Sequence, residues 1–506
     1  MNLWRTIRKV LNSPVRPRKR SYGGAEVGRL TSDWIASSTS ADSEIYSSLV
    51  RVRNRSRQLV RDNDYARGAL RTITNNVIGN GIPFQSQVKM RRGDRLDEAT
   101  NTAIEEAWQE WGCKEYCDVA GKLGWSEIQR LAMRSVVESG EILIRKVKQS
   151  FGGSSVPFAL ELIEGDQLAE YYHGTFNGNE IRMGVEVDKW NRPVAYHLRT
   201  HHPGDYQFIS NASAARLERV PADEIIHLFL SDRPGQSRGM SWFHSCLKRM
   251  RDLGGYEEAE IVAARATASI MGFIETPDGE LLGEGVENGE RLRSFSPGTI
   301  ELLAPGEKFN GFSPTRPATG FDSFVRMMLR GMAAGVGISY ENLSADYSQS
   351  NYSSSRLALL NDRDTYRALQ SWVILNLHQP VYEAWLDMAV LSGRLNLPIY
   401  EVNPRRYQAV RWQPRGWSWV DPQKEINATI SAVGAGLTTL TDEIAKQGGD
   451  IEDLLKTRKR ELDMAAAYGL SLYTPPAQSA VVNKSESPTE APTEATNDLS
   501  SQGEYE

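Results

Sequence analysis

The sequence predicts an α+β fold, mainly helical, with a mostly antiparallel β region inserted in it. Three observations carry that reading. Long stretches repeat apolar residues at three- and four-residue spacing, residues 44–78 first among them. Between 141 and 230 the pattern shortens to strand-like runs separated by turn residues, without β–α–β alternation. A Gly/Pro-rich stretch at 273–318 then separates two further helical segments.

Taken in order, residues 44–78 read as one helix stopped by Gly79 and Gly81. Arg53, Arg57 and Arg61 fall on one stripe of it. That stripe reads as a solvated or intersubunit salt-bridged face, with a phosphate-binding stripe as the sharper alternative. Residues 97–112 and 125–138 read as two more amphipathic helices, with Trp108, Trp111 and Trp125 as core anchors. The strand-like runs are "EILIRKVKQ", "FALELIEG", "EIRMGVEVDKWNRPVAYHLRT" and "EIIHLFL", and "DKWNRP" reads as a hairpin connection. Residues 241–272 form a long helical segment, broken or bent near Gly254–Gly255, and 321–337 return to helix. From 354 to 392 a long helical run is interrupted by Pro380, which removes a bond and crowds the preceding turn. Residues 421–468 are helical, and beyond Tyr473-Thr474-Pro475-Pro476 a Ser/Thr/Pro/Glu-rich tail is expected to be disordered.

At 506 residues the chain can bury a sizeable core. Its net charge of −5 gives no overall sign of nucleic-acid binding, but the charge is uneven. Residues 1–20 hold seven cations and no acid, whereas 471–506 hold six acids and one Lys, leaving a mildly acidic body between. Three Cys make no disulfide framework and fit a reducing compartment. No apolar run approaches the roughly 20 residues that span a membrane, and no signal-peptide core is visible.

Catalytic motifs are weak. "GQSRG", Gly235 to Gly239, matches the G-x-S-x-G nucleophile elbow and would make Ser237 a hydrolase nucleophile. "SDRP" separates it from the preceding strand, however, and its downstream His residues, His244 and His378, lie in helical runs. A structural loop with Ser241 as a helix cap is the plainer reading. There is no Walker A sequence, no HExxH-like His pair and no zinc spacing, so no catalytic, cofactor or metal site is expected.

The stretch "YENLSADYSQSNYSSSRLALLNDRD" (340–364) resembles the portal proteins of lambda-like tailed bacteriophages. The resemblance continues through "RVRNRSRQLVRDNDYARGALRTITNNVIGNGI" (51–82), "HLFLSDRPGQSRGMSWF" (227–243) and "GLTTLTDEIAKQGGDIEDLLKTRKRE" (436–461). It runs collinearly over roughly 22–470. It implies a ring, usually of twelve subunits, at one capsid vertex, with double-stranded DNA packaged and ejected through a central channel. Implied partners are the terminase large subunit, the head–tail connector, and the major capsid and scaffold proteins. The implied location is the virion, with the host cytoplasm during assembly. No membrane, cofactor or enzymatic activity is implied.

Carried onto this chain, the resemblance implies a basic arm at 1–21, a wing at 22–240 and stem helices at 241–272 and 319–337. A clip at 273–318 lies between the stem helices. A tunnel loop at 338–354 leads to a kinked helix and wing return at 355–420, crown helices at 421–470 and a tail at 471–506. The tunnel loop would place Asp346, Tyr347, Ser348, Gln349, Ser350, Asn351 and Tyr352 in the channel. A neutral, hydroxyl- and amide-rich loop offers exchangeable bonds to phosphate, whereas Lys or Arg repeated around a ring would clamp it. Asp346 would repel the DNA backbone, and the two tyrosines would brace the loop against neighbours or touch DNA. Arg326 and Arg330, one helical turn apart, would face the channel or pair with a neighbouring subunit's acids. A serine hydrolase acting through Ser237 and a monomeric DNA-binding module using the Arg53/Arg57/Arg61 stripe are the competing readings.

Overall fold

The computed structural model of the chain describes residues 37–470, apart from 92–94, 206, 209–215, 270–271, 276–307, 312–319, 350, 418–421 and 447–448, together with a few positions between 25 and 34. The basic arm, most of the proposed clip and the acidic tail lie outside the described residues. The chain divides into two compact units, Met1–Gly449 and Asp450–Glu506.

The first helical run is two helices, α1 (Ala41–Asp62) and α2 (Asp64–Val77). Asn63 corrects the expectation of a single helix. Its backbone is extended, so it ends α1, and its side chain accepts the Ala66 N–H at 3.0 Å to start α2. After the short strand β1 (Phe84–Ser86), α3 (Glu98–Trp111), one turn α4 (Lys114–Cys117) and α5 (Trp125–Ser139) follow. The three tryptophans are core anchors as expected. Trp108 lies 4.7 Å, centroid to centroid, from Trp111 and 5.7 Å from Trp125, and Trp111 Nε1 donates to Phe158 O at 2.7 Å.

The β region is two antiparallel sheets. β2 (Glu141–Val147) is the centre of a three-stranded sheet, flanked by β3 (Ala159–Glu164) and β9 (Ile225–Phe229). Ile144 is the register point, opposite Leu162 on one side and Ile226 on the other. The second sheet is a five-stranded meander: β4 (Gly174–Phe176), β5 (Asn179–Arg182), β6 (Val185–Val187), β7 (Pro193–Arg199) and β8 (Leu217–Pro221). The β6–β7 connection is the expected hairpin. Asp188 Oδ1 accepts the Trp190 and Arg192 N–H groups at 2.8 and 2.9 Å, and Asn191 takes a left-handed φ of 60°.

Of the break or bend expected near Gly254–Gly255 there is no break: helix α6 (Leu247–Ser269) runs uninterrupted through both glycines. Leu247, Met250 and Leu253 are buried just before them, so packing anchors the helix where propensity is poorest. Beyond α6, β10 (Gly272–Glu275) and β11 (Lys308–Gly311) pair antiparallel, bringing the two ends of the Gly/Pro-rich stretch side by side. Next come α7 (Phe321–Val336) and α8 (Tyr340–Ser344), then α9 (Tyr352–Val373). Five residues of π-helix, Ile374–His378, join α9 to α10 (Gln379–Leu391). Pro380 therefore does not end the run. It lies just past the π turn, which widens the ladder where the missing N–H would have bonded.

A turn α11 (Pro404–Tyr407) leads to β12 (Val410–Trp412), which pairs with β1 and places Phe84 opposite Trp412. α12 (Pro422–Gly434) and α13 (Leu440–Lys446) close the first unit. Within the second unit the described residues form one helix, α14 (Ile451–Ala467).

Candidate functional site

The segment between α7 and α9 holds most of the sequence-derived candidates, and its local structure explains its composition. α7 ends at Gly337, left-handed at φ 81°, and Ser339 caps α8 by accepting Asn342 N–H at 3.3 Å. Ala345 follows α8 at φ 56°, a left-handed position normally given to Gly or Asn. The reversal is stabilised by side chains instead. Asp346 Oδ1 accepts Ser348 N–H at 3.0 Å, closing an Asx turn. Asn351 and Ser354 form a reciprocal capping box that starts α9, with Ser354 N–H donating to Asn351 Oδ1 at 2.8 Å.

Asp346 sits in a network within its own chain. Tyr340 Oη donates to its Oδ2 at 2.7 Å, and Arg326 Nε lies 3.8 Å from that oxygen. The Ser348 hydroxyl and N–H, then the Tyr340 hydroxyl, and then the Arg326 charge hold the Asp346 carboxyl well below its ordinary range. Arg326 also pairs with Asp322 at 2.9 Å. Arg330 lies over the Tyr340 ring, 5.5 Å from its centroid. Both arginines thus have in-chain partners, a third arrangement beside the two expected from sequence.

Ser348 and Gln349 form an exposed turn, and Tyr347 is 61% exposed. Ser350 lies outside the described residues. Tyr352 is the first residue of α9. The base of the segment is held by Asp362 of α9, a residue the sequence reading did not single out. Buried to 5% exposure, its carboxylate accepts Ser339 N–H at 2.9 Å, Ser339 Oγ at 2.6 Å and the Asn342 amide. Its spacing within an amphipathic helix gave no cue, because its partners come from twenty or more residues upstream.

The arginine stripe is split: Arg53 turns inward, contrary to both expectations, whereas Arg57 is half-buried and Arg61 is exposed. Arg53 is fully buried, its Nη2 2.5 Å from Glu141 Oε1. Arg238 meets the same carboxylate with Nε at 3.0 Å, and His227 Nε2 lies 3.0 Å from Glu141 Oε2. Burial opposes ionisation of Glu141, but the Arg238 charge, the His227 hydrogen bond and the Arg53 charge outweigh it and hold the carboxyl well below its usual range. Arg57 bridges Glu164 and Asp166 at 2.9 and 2.7 Å, and only Arg61 is exposed, paired with Asp62 at 2.9 Å.

Glu164, Asp166 and His202 bring three potential metal-ligating atoms together. His202 Nδ1 accepts Gly204 N–H at 3.0 Å, which puts the ring proton on Nε2, 3.5 Å from Glu164 Oε2. A metal would need the lone pair at that nitrogen, and Arg57 already bridges the two carboxylates. The chemistry is that of an ion-pair cluster.

"GQSRG" is a clamp. Ser237 donates its hydroxyl to Asp42 Oδ2 at 2.8 Å and its N–H to Oδ1 at 2.8 Å, and Arg238 reaches Glu141. Gly239 crosses Gly140 so closely that a Cβ on it would lie 2.1 Å from the Gly140 carbonyl oxygen. The two downstream histidines are engaged elsewhere: His244 Nδ1 contacts Ser241 O at 2.9 Å, and His378 is buried beside Trp125. As expected, Ser241 caps the turn that follows, accepting Phe243 N–H at 3.2 Å.

The described residues form a mainly helical chain with antiparallel sheets, in keeping with the α+β fold expected from the sequence. The family model for phage portal proteins of the lambda family matches residues 27–370. The probable portal protein of Halomonas phage phiHAP-1 is 30% identical over 498 residues, 93% of each chain. Portal protein B of Escherichia phage lambda is 23% identical over 498 residues, 92% of each chain. Among solved structures, the neck of an empty gene transfer agent particle aligns with a TM-score of 0.47 and 13% identity, covering 77% of this chain and 92% of the other. The chain belongs to the lambda family of phage portal proteins.

Proposed function

We propose that the chain is the subunit of a portal ring, a conduit at one capsid vertex through which double-stranded DNA is packaged and later ejected. Family membership over most of the chain carries this reading. Uncovered apolar side chains support it. Ile261 and Val262 on α6, Phe324 and Met327 on α7, and Leu357 and Leu360 on α9 are all exposed in the single chain, as expected of surfaces that neighbouring copies cover.

In this reading α6 and α7 are the stem helices and 273–318 is the clip, which meets the terminase large subunit and later the head–tail connector. Residues 22–240 and 355–420 form the wing and 421–470 the crown, with capsid and scaffold proteins around them. The channel-facing part of the 338–354 segment narrows to 347–351. Asp346 is its brace, and Ser348, Gln349, Ser350 and Asn351 present a neutral surface across which phosphates slide.

Negative-stain imaging of the purified full chain tests the ring. Annular particles with a central hole are expected, and a stable monomer at high concentration would overturn the reading. Replacing Gln349 with Lys tests the channel assignment. Rings still form while DNA packaging falls, whereas normal packaging by that variant removes 347–351 from the DNA path.

A further inference from the structure

From Gly320 to Asn351 the sequence carries two cations, Arg326 and Arg330, three acids, Asp322, Glu341 and Asp346, and no Lys or His. Both arginines sit on α7, and residues of the polar segment engage both. Arg326 lies between two carboxylates. Its Nε donates to Asp322 Oδ1 at 2.9 Å, one helical turn back, and stands 3.8 Å from Asp346 Oδ2. The shorter pair is the more screened, because the Asp322 side chain is 71% exposed and that of Asp346 only 29%. Phe324 and Met327 beside it face solvent, yet the Arg326 side chain is only 19% exposed.

Tyr340 ties the two arginines together. Its Oη donates to the same Asp346 oxygen at 2.7 Å, which fixes the carboxylate beside Arg326, and its ring carries the Arg330 guanidinium 5.5 Å from the centroid. The other Asp346 oxygen accepts Ser348 N–H at 3.0 Å and closes the turn. Closing that turn needs no charge, since Asn and Ser side chains do the same. The charge of Asp346, aimed at a guanidinium by a tyrosine hydroxyl, therefore has a second role.

We propose that Asp346 is a charge mask: it occupies Arg326, so that the guanidinium does not take hold of a DNA phosphate passing the segment, and Tyr340 is the positioning residue that keeps it there. The assignment rests on the conduit reading. One cation per copy matters in that setting because a ring repeats it, and each added phosphate contact raises DNA affinity and steepens its salt dependence. The charge of Asp346 is then balanced within the chain rather than directed at the DNA.

The test uses rings purified from the full-length chain and a fluorescein-labelled linear duplex of about 40 base pairs, titrated by anisotropy across a salt series. Wild-type rings are expected to bind weakly, with a shallow salt slope. Asp346→Asn keeps an oxygen for the Ser348 N–H and removes only the charge. It is expected to bind the duplex at least about tenfold more tightly, with a steeper slope. Arg326→Gln in the Asp346→Asn background is expected to return both to wild-type values, which it would not do if the first change had merely loosened the turn. Unchanged affinity and slope in Asp346→Asn, or a gain that survives Arg326→Gln, would overturn the mask. Closed circular DNA cannot thread a ring, so its competing as well as the same DNA linearised would place the gain outside the channel and overturn the mask too. Negative stain of the same preparations scores the rings separately: particles without rings count against the conduit, and rings without a gain count against the mask alone.

Discussion

Glu141 gathers two guanidinium groups and an imidazole in a site without solvent. Buried ion groups of this kind add little net stability over apolar packing, but leaving one partner alone costs about 3–5 kcal/mol, so they enforce one arrangement of the chain. The buried histidines add a pH dependence of definite sign. His227 is pushed down by burial, and His378 is pushed down by burial from 6.5 to about 4. Between those two values the folded chain binds fewer protons at His378 than the unfolded chain does. The associated stability is therefore complete above about pH 6.5 and is lost as the pH falls toward 4. The shift at His378 corresponds to roughly 3 kcal/mol. Urea unfolding between pH 7.5 and 4.5 should show stability falling with acidification, and His378→Gln should flatten that slope. An unchanged slope would mean that His378 already titrates normally in the folded chain.

At the level of elements, the polar stretch before α9 is a set of local closures: an Asx turn at Asp346, a left-handed Ala345 and the Asn351–Ser354 box. Asn351→Ala should cost about 1 kcal/mol and loosen the first turn of α9. Amide exchange at 352–356 should rise while that of the core helix α5 holds. Most elements were legible in the sequence because amphipathic helices and strand runs announce themselves through period, and the tryptophan anchors through size. What escaped was set by partners distant in sequence. The inward turn of Arg53 depends on Glu141, 88 residues on. Strand β1 exists only because β12 lies opposite it. Single residues decided the rest: Asn63 splits a periodic run that looked continuous, and Gly254–Gly255 leave unbroken a helix expected to break or bend there. Within the candidate segment its polarity and position could be read from sequence, but the role of Asp346 as a brace could not. A carboxylate's function depends on whether Tyr340 and Arg326 reach it, and that is fixed by the α7–α8 turn.

For the whole molecule, under the proposed ring the uncovered apolar faces of α6, α7 and α9 would set the terms of self-association. Burying a side chain the size of Met or Leu contributes about 1.5–3 kcal/mol, and a ring repeats each contact once per copy. Met327→Asp combined with Leu357→Asp, at positions 61% and 62% exposed in the single chain, should leave the chain folded and shift it from rings to monomers. Light scattering after size exclusion would read this, and persistence of full rings would move the interface elsewhere. The shared carboxylate of Glu141 also orders events during synthesis. Its partners lie 88 residues before it and 97 after it. While the chain grows from the ribosome, Glu141 emerges with Arg53 already available, but the neutralising contact from Arg238 is still unmade. Central strand β2 therefore cannot settle into its final dry position until the segment through Gly239 has emerged. Nascent chains stopped short of that point should remain open to protease at β2, long after every residue of α1 to α5 has been made.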